Sequence, residues 1–189
     1  IVVGEDRVAY GGDTQHTDGK TFKEWVLSQD QYDMDKFAFV GRLPMGELGR
    51  LLASTDLHIY LTVPFVLSWS MMDAMSCGAV VLASNTLPVM EMIQDGRTGL
   101  LADFFSPEQF AEKAVHVLKD PDAFRQIGRE AESLIEDRYS LEAVLPAMMR
   151  MYEEAASGNF RPAPSEDPLE MLPRRAAAPR PEQRSPFFG

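Results

Sequence analysis

The stretch Asp73-Ala-Met-Ser-Cys-Gly-Ala-Val-Val-Leu-Ala-Ser-Asn-Thr86 decides the fold. Its first five residues read as the end of a helix. Gly78 supplies a tight turn, and 79–83 is a nearly unbroken apolar run that stops in polar residues. Such a run suits a strand covered on both faces, as in a parallel sheet. Immediately upstream, Leu67-Ser-Trp-Ser70 can start the helix, which we place at 69–77. The result is a loop–helix–strand unit with a carboxylate, Asp73, inside the helix. A helix start offers open backbone N–H groups and a partial positive charge, so it suits an anion such as phosphate. A carboxylate one turn further on can take ribose hydroxyls. The combination points to a nucleotide, and here to a nucleotide-sugar.

Working outward, the chain alternates strands and helices. Strands are expected at 1–3, 37–40, 56–62, 79–83 and 100–102. Helices are expected at 21–31 with Thr21 as cap, at 47–54, 69–77 and 88–93, and from Ser106 to about 119. Ser106-Pro107-Glu108 combines a cap, a first-turn proline and an early acid. Asp120-Pro121-Asp122 repeats the device for a helix reaching about 138. Ser140 caps a last helix to about 156, which Pro146 should kink. This order predicts an α/β domain: an open, parallel, Rossmann-like sheet with helices on both faces, followed by C-terminal helices. Ligands of such sheets sit at the carboxyl ends of the strands. We divide the chain into a nucleotide-sugar-binding domain, 1–156, and a tail, 157–189. The tail holds seven of the thirteen prolines beside Arg, Glu, Ser and Ala, which reads as disordered.

Composition narrows the function. The formal net charge of −11 disfavours nonspecific nucleic-acid binding, which needs Lys and Arg against phosphates. The tail carries +1 of that balance, with five Arg against four acids in 158–189. No apolar run approaches the ~18–20 residues of a membrane span. Peripheral contact through the tail arginines is conceivable, beside the plainer reading of a solvated linker. Cys77 is the single cysteine, so there is no internal disulfide and no Cys-based metal site. A reducing cytoplasm fits. The chain opens inside a strand without an initiator Met, so we expect a preceding N-terminal domain that is missing here.

Other polar positions fall at the same sheet edge. Gly41-Arg42 follows a strand, and Arg42 can reach a phosphate or lie beside a base; a surface salt bridge is the plainer alternative. Asn85 and Glu91 follow the 79–83 strand and can contact a sugar or support the loop. His16, His58 and His116 are scattered, His58 within a strand as a packed residue, and none is assigned to metal or catalysis. Cys77 reads as a small filler.

Taken together, these residues resemble a known family. The segments Phe39-Val-Gly-Arg-Leu43, 48–56, Asp73-Ala-Met-Ser-Cys-Gly-Ala-Val-Val81 and Pro88-Val-Met-Glu-Met-Ile-Gln-Asp-Gly-Arg-Thr-Gly-Leu-Leu101 resemble the C-terminal half of group 1 retaining glycosyltransferases, which have the GT-B fold. The resemblance covers roughly residues 37–155, and Pro64-Phe-Val-Leu-Ser-Trp-Ser70 looks like a bacterial branch. It implies a two-domain hexosyltransferase-type enzyme whose C-terminal half holds a UDP- or GDP-sugar, with retention of configuration and without a divalent metal or other cofactor. The acceptor would be a glycan, a lipid or a small molecule. The amides of Leu67, Ser68 and Trp69 match the family's diphosphate-binding loop, and Gly41 and Arg42 match the segment near the base. The family's acidic pair falls on Asp73, where Glu is usual, and on Phe65. A phenyl ring accepts no hydrogen bond from a sugar hydroxyl, so Phe65 departs from the pattern. The basic pair that stabilises the leaving diphosphate would lie upstream of 1–3, so no catalytic residue is assigned. Two alternatives remain: a catalytically inactive relative acting as partner or scaffold in glycan assembly, and another nucleotide-binding enzyme such as an oxidoreductase. The second lacks a Gly-x-Gly-x-x-Gly after a readable strand.

Overall fold

A computed structural model describes residues 1–7, 15–61 and 67–159. The tail reading of 157–189 thus lies almost wholly outside the described residues. The described residues hold five strands, each paired in parallel with its neighbours: β1 (Val2–Val3), β2 (Phe39–Gly41), β3 (His58–Tyr60), β4 (Val81–Ser84) and β5 (Leu100–Ala102). Among the described residues they form a β1–β2 pair and a three-stranded sheet in the order β3–β4–β5. Tyr60 lies opposite Ala83, and Ser84 opposite Ala102.

Period-two alternation along the 79–84 run builds the core. Val81 and Ala83 face one side, where Met71, Ala74 and Met75 of α3 (Trp69–Ser76) pack with Val89 of α4 (Leu87–Met90) and Ala131 of α6 (Arg125–Tyr139). Val80 and Leu82 face the other side, against Phe110, Ala114 and Val117 of α5 (Pro107–Lys119). Both sheet faces are covered, which is why the strand is apolar throughout. Gly78, with φ of +72°, turns the chain from α3 into β4.

Several expectations shift on contact with the structure. β4 begins two residues later than predicted, and α2 (Met45–Ser54) begins two residues earlier. Thr21 caps α1 (Phe22–Leu27) through a capping box with Glu24, but the helix stops at Leu27. Its apolar residues are not core; Phe22 is 60% exposed. Of Leu48, Leu51 and Leu52, only Leu52 is buried. Asp120 makes no side-chain cap. Pro121–Phe124 forms a 3₁₀ turn instead, and Asp122 Oδ1 binds Arg125 Nε at 2.6 Å, so α6 starts at Arg125. Ser106 and Ser140 both cap as expected, accepting from Gln109 N at 3.3 Å and Ala143 N at 3.2 Å. The chain divides into two units, Ile1–Val144 and Leu145–Gly189, and α7 spans Leu141–Ala156. Pro146 lies inside α7.

Candidate functional site

α3 follows β3 after residues 62–66, which lie outside the described residues. Ser68 is the N-cap of α3, in extended conformation, and its Oγ accepts from Ser70 N at 3.3 Å. The Met71 N–H bonds back to Ser68 O at 3.2 Å. The Ser68 N–H is not open, because it donates to Tyr60 Oη at 3.0 Å. The three-amide reading of Leu67, Ser68 and Trp69 therefore needs revision. Among the described residues the Leu67 and Trp69 N–H groups have no acceptor, while the Ser68 N–H is already paired. The Trp69 indole beside them is 85% exposed.

Asp73 sits one turn along α3 and is half-buried. It lines a groove of 190 Å³ between α2 and α3, facing Met45 and Gly49. Its carboxylate has no hydrogen bond or ion pair among the described residues. Met45 is the first residue of α2; Gly41 ends β2 and Arg42 opens the connection between them. The fold thus brings Asp73 beside the start of α2, at Met45 and Gly49. Gly41 has a φ of +67°, a conformation open to glycine at little cost, and its carbonyl accepts from Gly4 N at 2.8 Å. Arg42 is highly exposed and lies 3.9 Å from Glu5, which is itself held by Arg7 at 2.5 Å. A pair this exposed is weak and readily exchanged for a ligand.

Asn85 and Glu91 bracket α4. Both side chains are exposed and unpaired among the described residues; only the Asn85 backbone is fixed, donating to Ala102 O at 2.8 Å. Phe65 lies outside the described residues. His58 is half-buried, and that burial lowers its pKa below the ordinary histidine value. Cys77 is half-buried against the core. Among the described residues no three His, Cys, Asp or Glu side chains gather as a metal site, and no helix is long and apolar enough to cross a membrane.

Sequence reasoning missed two features. One is the Tyr60 hydroxyl at the start of α3. The other is a pair of buried hydroxyls without partners, Ser84 Oγ and Thr86 Oγ1, where β4 leaves the sheet. The second had a visible signal, since polar residues end an otherwise apolar strand.

The sequence profile described as "Glycosyl transferases group 1" matches residues 1–134. The chain is 25% identical over 118 residues to N-acetyl-alpha-D-glucosaminyl L-malate synthase of Bacillus anthracis, covering 62% of this chain and 30% of that protein. It is 30% identical over 91 residues to D-inositol 3-phosphate glycosyltransferase of Paenarthrobacter aurescens, covering 48% of this chain and 22% of that one. Among solved structures, sucrose-phosphate synthase from Thermosynechococcus elongatus superposes with a TM-score of 0.68 at 20% identity, over 82% of this chain and 38% of that one. Anabaena HepE, solved in complex with UDP and glucose, gives 0.64 at 20% identity, over 82% and 39%. These structural likenesses establish the fold. The chain spans less than a third of the two curated relatives.

Proposed function

This chain belongs to the group 1 glycosyltransferases, and on that premise we propose that it is the donor-binding half of a hexosyl-type enzyme that uses a UDP- or GDP-sugar. The observation that carries the reading is the start of α3. There, among the described residues, the N–H groups of Leu67 and Trp69 have no acceptor beside a cap, one turn from a half-buried carboxylate with no partner among them. The diphosphate would lie against those amides, and Asp73 would accept hydrogen bonds from ribose hydroxyls. Arg42, once released from Glu5, would serve the base or a phosphate. Asn85 and Glu91 lie at the next connection of the same edge, suited to sugar hydroxyls.

Chemistry follows from charge. Breaking the sugar–phosphate bond puts negative charge on the departing nucleotide, and helix-terminal N–H groups stabilise it without reorganising. In this reading no divalent metal is needed for binding. Transfer proceeds with retention of anomeric configuration to a glycan, lipid or small-molecule acceptor, and it takes place in the cytoplasm. HepE, a structural neighbour solved with UDP and glucose, supports the nucleotide class. Isothermal titration of the full-length protein with UDP and with GDP tests the proposal. Binding of one at micromolar levels is expected, and failure of both at millimolar concentration refutes it. The rival reading, an inactive partner in glycan assembly, draws on Phe65 at the usual acidic position. Robust sugar transfer by the full-length protein removes that rival.

A further inference from the structure

Among the described residues β1 pairs with β2 alone and β3 with β4 alone, so each of the two has a free edge. The Val2 N–H donates to Ala38 O and the Gly4 N–H to Gly41 O, both at 2.8 Å. Alternate residues of a strand turn their backbone groups to opposite edges, so the N–H and C=O of Val3 point away from β2. The His58 N–H donates to Val80 O at 2.8 Å, which leaves Ile59 pointing away from β4 in the same manner. Val2 and Val3 of β1 and His58 and Ile59 of β3 line one cavity of 490 Å³, with Leu48 and Leu51 of α2. A native interior leaves few voids larger than a water molecule, whose share of liquid volume is about 30 Å³. The cavity walls are left wet: Val2 is 47% and Ile59 50% exposed. Neither strand carries the lysine or proline with which natural edge strands resist pairing.

β2, α2 and β3 follow one another as strand, helix and strand, the crossover that joins parallel strands of one sheet. α2 turns Leu48, Leu51 and Leu52 towards the cavity, yet only Leu52 is buried. We propose that a further strand of the same protein, from polypeptide outside residues 1–189, inserts between β1 and β3 and joins the five strands into one sheet. Its backbone pairs with Val3 on one side and Ile59 on the other. Its side chains are apolar, because those on one face pack under Leu48 and Leu51. Relatives carry the length for such a strand, since the chain covers 30% of the Bacillus anthracis synthase. A tethered strand also meets the slot at a high effective concentration, which a strand from solution does not.

Hydrogen exchange of the full-length protein, read residue by residue, tests this. The amides of Val3 and Ile59 should exchange as slowly as that of Leu82 in β4, equally at low and at high protein concentration. Leu51→Ala gives a second readout. On a helix face open to water the change is close to neutral, because alanine is the better helix former. Beneath an inserted strand it removes core packing, and the melting midpoint should fall by roughly 4–8 °C. Exchange of both amides at the rate of exposed loops overturns the proposal, and so does an unchanged midpoint. Protection that appears only at high protein concentration assigns the slot to a second copy and overturns the same-chain source.

Discussion

Replacing Gly128 by Ala should lower stability by about 2 kcal/mol, the balance of overpacking and helix propensity. Gly128 lies in α6 with its Cα against the turn that ends α3. A Cβ there would stand 2.1 Å from Gly78 O and 3.0 Å from Gly78 C. Both are backbone atoms of a turn fixed by a positive φ, so neither can swing aside. Taking ~3.3 Å as a close carbon–oxygen approach, α6 has to retreat by about 1.2 Å. A gap of that size forfeits much of the dispersion along the helix contact, where Ala131 is fully buried. Overpacking of this kind costs ~1–3 kcal/mol, and the immovable backbone puts it at the upper end. Ala returns ~1 kcal/mol as the better helix former. The melting midpoint should fall by roughly 4–8 °C for a domain of this size. Urea and thermal unfolding of the full-length protein measure it. Gly49→Ala is the control. There the added Cβ meets only Cys77 Sγ at 3.9 Å, so stability should rise by up to ~1 kcal/mol. A Gly128→Ala protein as stable as wild type would refute the close approach of α6 to α3.

Asp73→Ala should weaken binding of UDP or GDP by ~1.5–3 kcal/mol, the range for hydrogen bonds to a charged group; unchanged titration isotherms would remove Asp73 from the site. His58 gives a pH dependence of known sign. Its folded pKa lies below its unfolded value, so the unfolded chain binds more protons in that window. The stabilisation is fully present above the ordinary histidine pKa and is lost as pH falls through the folded one. Urea midpoints from pH 7.5 to 5 should therefore drop more steeply for wild type than for His58→Leu, and parallel curves would rule out this residue as the cause. Treatment with EDTA should leave nucleotide affinity unchanged within twofold, because amides rather than a cation hold the diphosphate in this reading. A loss of binding restored by magnesium would count against it.

Much of the fold is legible because one pattern dominates it. The 79–84 run tells both that a strand is present and that both its faces are covered, and β4 bears this out with Val81 and Ala83 on one side and Leu82 on the other. Boundaries are less legible, since they depend on which local hydrogen bond wins. Asp120 looks like a cap in sequence, yet Asp122 is engaged by Arg125 and a 3₁₀ turn intervenes. The apolar periodicity of 21–31 likewise predicts a buried face. Phe22 remains exposed because periodicity says which residues share a face and not whether a neighbour covers it.

The start of α3 shows how far local reasoning reaches into a site. Ser68 is readable as a cap from residue type alone, and the structure places its Oγ on Ser70 N. Which amides stay open is not readable, because the competitor for the Ser68 N–H is a tyrosine eight residues back, brought there by β3. Nothing in the helix segment announces it. The same helix end also sets the link between stability and binding. α3 presents Trp69 N–H at its start and Asp73 one turn on, while its far end is clamped by Gly78 against Gly128. A retreat of α6 acts first on the clamped end, and the start is tied to the sheet through Tyr60. Gly128→Ala should therefore cost more stability than nucleotide affinity. Observing the opposite ordering would mean that α3 is positioned from α6 and not from β3.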